Sequence, residues 1–363
     1  MQKKPLAISV LLVISVVFSL AVAEMLARAS SSTDPTQRRL MFSVPPFQLD
    51  SNGAVRYVPN RTIRTLALYD RKIEFDVSIR TNNLGFLDDI DYFPTSGVNE
   101  RRYAIVGDSF TACDGDKPWI PRLRAMIAQP TIKFYNLGVS GTSIEHFYRL
   151  LKSVTAEIDF TDIVIVAISD DFKRPFWEPH VDQDQLRFCA EDLGGDCAKQ
   201  PRIASLIGEN ASYEAITDAC ERTDVELAGQ GNKLKSVLTR SRLVTLGVRA
   251  YGRLKSRNRL GEITESNLAF LFRIQREFPR ASVYLVHVPQ KSEVRKDEYQ
   301  LDIERRVLGS GIEYFAALRA CKWTTGMYYM HDEHPNRSGY ENLCKCIAEL
   351  LFQKTAQKGK GGQ

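Results

Sequence analysis

The sequence has no cysteine pairs at zinc-site spacing, no phosphate-binding Walker loop and no Gly-x-Gly-x-x-Gly dinucleotide fingerprint. These absences remove the sequence grounds for a structural zinc module, a P-loop nucleotidase or a Rossmann oxidoreductase. A charge excess is also missing. The 363 residues carry 49 Lys and Arg against 44 Asp and Glu, a net +5, too even to imply a nucleic-acid partner. Histidine is scarce: His146, His180, His287, His331 and His334 are all there are, so any histidine general base is one of these five. With 44% hydrophobic residues the chain can bury a sizeable core, as one large domain or two small ones.

At the N-terminus, Lys3 and Lys4 precede an uncharged run from Pro5 to Ala23, made mostly of Leu, Val, Ile and Ala. That is close to the ~20 residues that span a bilayer. The lysine flank places the start in the cytoplasm and the remainder outside it. Ala21-Val22-Ala23 also suits a signal peptidase, so residues 1–23 read as a retained single-pass anchor or a cleaved signal, and both readings export the rest. The expected location is the cell inner membrane, with the following domain in the periplasm or outside the cell. An exported chain can oxidise its cysteines. There are seven, at 113, 189, 197, 220, 321, 344 and 346; Cys189 and Cys197 could close a short loop, but spacing does not fix the pairing.

Residues 24 to about 60 are polar and proline-containing and read as a spacer off the membrane, within an N-terminal extension running to 100. Lys72 to Arg80 alternates like a strand, with Ile73, Phe75, Val77 and Ile79 on one face. From about Arg101 the pattern becomes strand, turn, helix. The strands are Tyr103–Val106, Ile132–Leu137, Ile163–Ile168, Ser282–Val288 and Gly311–Phe315. Helical spacing follows at 119–127, 144–154, 266–278 and from Ser338 to about Phe352. Continuous apolar strands suit a parallel sheet covered on both faces, and the alternation gives an α/β fold with right-handed crossovers. The regular pattern breaks between about 173 and 262. Within that insertion, Lys233 to Arg259 holds nine basic residues and no acid, either a solvated amphipathic helix or a face for anionic lipid or an acidic polymer. The tail, 353–363, is polar and expected to fray.

The first core strand ends in Gly107-Asp108-Ser109-Phe110, at the carboxyl end where open parallel sheets collect their chemistry. Gly107 tolerates the angles of a sharp turn. Gly-Asp-Ser is also ordinary turn and capping chemistry, so the serine gains meaning only with partners: a base within hydrogen-bond reach and a group to orient it. His146 falls in a helix and His287 in a strand, as structural residues would, and His180 lies in the insertion. His334 sits in a loop two residues after Asp332 and before Pro335, which disfavours helical geometry there; His331 is its rival. The alternative is a surface loop with Asp332 as a helix cap.

Four blocks in this order resemble the SGNH, or GDSL-type, hydrolases: Arg80-Thr81-Asn82-Asn83-Leu84-Gly85-Phe86, Gly107-Asp108-Ser109-Phe110, Asn136-Leu137-Gly138-Val139-Ser140-Gly141, and Asp332-Glu333-His334-Pro335-Asn336 with Gly339. The chain is most similar to the exported, membrane-anchored branch that includes polysaccharide O-acetylation and cell-wall modifying proteins. The resemblance spans roughly residues 70 to 350 apart from the insertion. It implies a three-layer α/β/α sandwich with a mainly parallel sheet, flavodoxin-like, over 101–352, plus an irregular helical insertion. It implies Ser109 as nucleophile, His334 as base and Asp332 as its partner, with the backbone N–H groups of Ser109 and Gly141 in the oxyanion hole. The substrate it implies is a small O-acyl ester, acetyl on a cell-surface glycan. No metal or organic cofactor is implied, since serine acyl transfer needs neither. The Gly-x-Ser-x-Gly elbow of the α/β-hydrolases is absent, because residue 111 is Thr.

The chain departs from the family in the third block, where the family has Asn-Asp and the Asn donates to the oxyanion. Here the residues are Ser169-Asp170-Asp171-Phe172. A carboxylate accepts hydrogen bonds and donates only when protonated. Either Asp170 takes that place in a weakened hole, or Ser169 substitutes with its hydroxyl, or the fold has become a binding protein for a glycan or an envelope assembly partner.

Overall fold

The computed structural model describes residues 15, 18–26, 38–69, 72–94, 100–182, 185–190, 197, 202–218 and 242–360. The chain forms two units, Arg39–Ser212 with Leu260–Gln363, and Met1–Arg38 with Tyr213–Arg259. In the second unit, 18–26 and 213–218 are helical. Most of the apolar run 5–23 lies outside the described residues. Among the described residues no helix is long and apolar enough to cross a membrane.

The first unit begins with five strands: β1 (Arg38–Phe42), β2 (Phe47–Leu49), β3 (Val55–Tyr57), β4 (Thr62–Tyr69) and β5 (Lys72–Arg80). The stretch expected as a spacer is therefore built into the fold from Arg38 onward. Its scattered apolar residues explain why: Met41, Phe42, Phe47, Val55 and Tyr57 are all buried. Each such side chain contributes roughly 1.5–3 kcal/mol when taken out of water, and a polar average over the stretch hides them.

The core follows as β6 (Arg101–Gly107), α1 (Ser109–Ala112), α2 (Ile120–Ile127), β7 (Ile132–Gly138), α3 (Ile144–Val154) and β8 (Asp162–Ala167). The insertion then supplies β9 (Glu178–Asp182), β10 (Gln185–Cys189) and β11 (Arg202–Leu206). The chain ends with α4 (Arg242–Glu277), β12 (Ser282–His287), α5 (Lys291–Lys296), α6 (Ile303–Val307), β13 (Glu313–Ala316), α7 (Ala317–Ala320) and α8 (Arg337–Lys360). The central sheet has the order β13-β12-β8-β6-β7 and its pairings are all parallel.

Alternation along the strands sends successive side chains to opposite faces. On one face Ala104, Val106, Ile163, Ile165 and Leu285 pack with Ile144, Phe147 and Leu151 of α3 and Leu268, Leu271 and Ile274 of α4. On the other, Tyr103, Ile105, Val164, Val166 and Val286 pack with Ile120 and Leu123 of α2 and Tyr340, Leu343 and Ile347 of α8. The result is the α/β/α sandwich that the resemblance implied, with the parallel sheet covered on both faces as the continuous apolar strands predict.

A second sheet, of order β5-β4-β1-β11-β10-β9, joins the N-terminal strands to the insertion. The described part of the insertion thus adds three strands to this sheet, besides helix at 213–218 and the first part of α4, from 242. It holds the Cys189–Cys197 disulfide; a second disulfide joins Cys321 to Cys346, while Cys113 and Cys344 are free and buried. Of the basic stretch 233–259, residues 242 onward belong to α4 and 233–241 lie outside the described residues. The tail expected to fray continues helix α8 to Lys360.

Candidate active site

Strands β6 and β7 pair in register from Arg101 opposite Ile132 to Gly107 opposite Gly138. Their carboxyl ends therefore release two turns side by side, and Val139 N–H donates to Gly107 O across them at 3.0 Å. Gly107 is required by crowding rather than by an unusual angle: a Cβ there would stand 2.1 Å from Thr111 Oγ1 and 2.4 Å from Val166 O. Gly141 on the second turn has φ +76°, in the left-handed region that favours glycine.

Asp108 caps α1, its Oδ1 accepting from Phe110 N–H at 2.9 Å. The capping reading of Gly-Asp-Ser thus holds for Asp108, while Ser109 has a further partner. Ser109 Oγ lies 2.8 Å from His334 Nε2. His334 Nδ1 is hydrogen-bonded to Asp332 Oδ1, and the same oxygen accepts the His334 backbone N–H at 3.0 Å. Asp332 and Ser109 are buried, which shields the three-residue chain from water. The structure therefore brings together Ser109, His334 and Asp332 across 225 residues of sequence.

The loop that carries the histidine is tied at several points. Tyr329 N–H donates to His334 O and Asn336 N–H to Met327 O, and Lys291 Nζ donates to the carbonyls of Tyr329 and Met330, each at 2.7 Å. His331 points elsewhere: its Nδ1 meets Glu74 Oε2 at 2.9 Å and its ring stacks on Tyr69. His146 and His287 are buried, and burial pushes each imidazole down to about 3, as suits structural residues. His180 lies on β9.

The N–H groups of Ser109 and Gly141 have no hydrogen-bond partner among the described residues. Unpaired backbone donors at a buried site are uncommon, and a developing oxyanion is the partner they suit. The turn that presents Gly141 is braced from the N-terminal strands: Ser140 Oγ donates to Asp114 Oδ1 at 2.5 Å and contacts the β3 hydroxyl of Tyr57 at 2.6 Å.

Ser169 and Asp170 are not placed as oxyanion donors. The Ser169 hydroxyl is buried and donates to Glu293 Oε1 at 2.6 Å, with His287 Nε2 at 3.1 Å, so its one proton is spent in the interior. The Asp170 carboxylate accepts from Gln290 Nε2 at 2.9 Å and from Lys173 Nζ at 3.3 Å. The chain enters a short 3-10 turn, Ser169–Phe172, and Asp171 turns inward in their stead. One Asp171 oxygen accepts Ile168 N–H and the other accepts from Arg174 Nη1 at 2.6 Å. Burial, then the neighbouring Asp108 carboxylate, push the Asp171 carboxyl well above the ordinary range. Arg174 had no place in the sequence reading; its only sequence signal is a basic residue three positions after the Asp-Asp pair.

No protein-family model and no curated protein matches the sequence. Among solved structures the chain is similar to a lipase/acylhydrolase from Enterococcus faecalis, with TM-score 0.35 and 13% identity over 70% of this chain and 96% of that one. It is also similar to a GDSL-like lipase from Bacteroides thetaiotaomicron, with TM-score 0.33 and 12% identity over 72% and 92%. A third is a carbohydrate esterase family 2 enzyme plus carbohydrate binding domain from Corynascus thermopiles (Myceliophthora fergusii), with TM-score 0.32 and 17% identity over 86% of each chain.

Proposed function

We propose that the protein is an SGNH-type serine esterase or O-acyltransferase that acts on small O-acyl esters through an acyl-enzyme on Ser109. The observation that carries this reading is the Ser109–His334–Asp332 chain beside two unpaired backbone N–H groups. In the reaction, Ser109 Oγ attacks the ester carbonyl and passes its proton to His334 Nε2. Asp332, on Nδ1, holds the ring and stabilises the imidazolium. The carbonyl oxygen becomes an oxyanion between the N–H groups of Ser109 and Gly141. His334 then protonates the departing alkoxide, and the acyl group stays on Ser109. Water, or a sugar hydroxyl in the transferase case, gives its proton to His334 and takes the acyl group, restoring the serine.

Acetyl is the acyl group we propose, and a cell-surface glycan the carrier or acceptor. We place the protein at the cell inner membrane, held by the apolar run after Lys3 and Lys4, with the catalytic unit outside the cytoplasm. The Cys189–Cys197 and Cys321–Cys346 disulfides support an oxidising compartment.

The test is turnover of p-nitrophenyl acetate by the full chain in detergent, with Ser109→Ala alongside, and labelling of both by a fluorophosphonate. Turnover and labelling that vanish in Ser109→Ala support the reading. Labelling that persists in the mutant removes Ser109 as nucleophile. A folded wild type that neither turns over ester nor labels favours the binding-protein alternative.

A further inference from the structure

Arg174 stands between the two turns that carry the backbone donors. Its Nη1 donates to Asp108 Oδ2 at 2.8 Å, to the Thr142 carbonyl at 3.2 Å and to Asp171 Oδ1 at 2.6 Å. Asp108 precedes the nucleophile and Thr142 follows Gly141, so the guanidinium touches both sides of the site. A single oxygen separates it from the nucleophile, because Asp108 Oδ2 is also 3.2 Å from Ser109 Oγ. Arginine has five N–H donors in a rigid fork. Here three acceptors crowd onto Nη1, while Nε and Nη2 have no hydrogen-bond partner among the described residues. The side chain stays 30% exposed, so these N–H groups are open rather than sealed in the core.

By the family resemblance the side-chain donor to the oxyanion is expected at 170 or 169; the Asp170 carboxylate is turned toward Gln290 and Lys173, and the Ser169 hydroxyl donates to Glu293. A permanently charged fork, engaged at Nη1 and unengaged at Nε and Nη2, sits next to the nucleophile turn. We propose that Arg174 is the third donor of the oxyanion hole, supplying from its free N–H edge the hydrogen bond that Asp170 cannot. This rests on the serine-esterase reading of the site. The contacts to Asp108, Thr142 and Asp171 fix the guanidinium before substrate arrives, which is what electrostatic stabilisation of a transition state requires. Asp171 contributes by holding Nη1, and its raised carboxyl range leaves the guanidinium less compensated than two full negative charges would.

The experiment compares the full chain with Arg174→Met, Asp171→Asn and the double variant, reading kcat and KM on p-nitrophenyl acetate and thermal midpoint, with Ser109→Ala as the blank. Loss of one oxyanion donor costs about 100- to 1,000-fold in kcat. We expect Arg174→Met to lower kcat on that scale with KM within about threefold, and the double variant to stay equally low relative to Asp171→Asn. The double variant separates chemistry from local structure, since the Asp171→Asn side chain keeps an oxygen for the Ile168 N–H and the acidic partner of residue 174 on that turn is absent from both members of the comparison. If kcat of Arg174→Met stays within about threefold of wild type, or returns when Asp171→Asn is added, the inference is overturned and the Ser109 reading stands. If Arg174→Met does not fold, the comparison of Asp171→Asn with the double variant decides in the same way. Turnover that Ser109→Ala leaves intact overturns the reading and the inference together.

Discussion

Glu74 holds His331 by both ends: Oε1 accepts its backbone N–H at 3.0 Å and Oε2 meets its Nδ1 at 2.9 Å. The two residues are 257 positions apart, and the contact ties strand β5 to the loop that presents Asp332 and His334. Tyr57 makes the matching contact on the other side, at Ser140. The N-terminal strands therefore position the site as well as fill the core.

Glu74→Ala removes this tie. Hydrogen bonds to a charged group contribute about 1.5–3 kcal/mol each, so the variant is expected to melt earlier. Displacing a catalytic group by about 1 Å costs up to ~100-fold, and we expect kcat to fall about 10- to 100-fold with fluorophosphonate labelling of Ser109 retained. Kinetics at wild-type level would mean the loop is held without Glu74.

Asp332→Asn tests the orientation of His334. An amide at this position can present its N–H to Nδ1 and favour the wrong tautomer, and in serine triads this change costs about 10,000-fold in kcat. The expected loss here is of that order, with Tm little changed. A loss under about tenfold would show that His334 keeps its working orientation without the Asp332 carboxylate.

Asp170→Asn separates the sequence expectation from the structure. Because the Asp170 carboxylate faces Gln290 and Lys173, the amide is expected to leave kcat within about threefold of wild type. A rise of 100-fold or so would place residue 170 in the hole and its carboxylate as the defect.

Stability should fall with acid in a way traceable to His146 and His287. Both imidazoles are pushed down to about 3 in the folded chain by burial, against about 6.5 when unfolded. The unfolded state therefore binds more protons between these values. The stabilisation is fully present above about pH 6.5 and is lost as pH falls toward 3, with a slope near 1.4 kcal/mol per pH unit for each histidine. Urea melts of wild type and His146→Gln across pH 4–7 should show a shallower slope in the variant; equal slopes would mean His146 is not buried neutral.

The Cys321–Cys346 disulfide closes a 25-residue separation that contains the Asp332–His334 loop. A closed loop of that size restricts the unfolded chain by about 3–4 kcal/mol. Cys321→Ser with Cys346→Ser should lower the thermal midpoint clearly and reduce turnover at temperatures well below it. A midpoint unchanged from wild type would show that the bond is not formed in the purified protein.

Sequence alone determined the central sheet and named the three residues that meet in the site, with His331 standing as a rival to His334. Strands covered on both faces must be apolar along their length, so β6, β7, β8 and β12 are visible as continuous runs, and helix α3 as a 3.6-residue stripe. Gly107, Gly138 and Gly141 are legible because the turns tolerate no side chain or need a left-handed angle. Ser109, His334 and Asp332 can be picked out because few residue types can form a hydroxyl–imidazole–carboxylate chain and histidine is scarce. Only the tertiary structure decided the rest. Strands β1–β3 hide in a polar, proline-containing stretch, since their apolar residues find partners in remote segments rather than in a local period. The inward turn of Ser169, the outward turn of Asp170 and the placing of Arg174 between Asp108 and Thr142 depend on where a 3-10 turn aims its side chains. The ties from Glu74 to His331 and from Tyr57 to Ser140 join residues far apart in the chain, and no local pattern encodes such a contact: it exists because burial of the N-terminal strands brings those groups within hydrogen-bond reach.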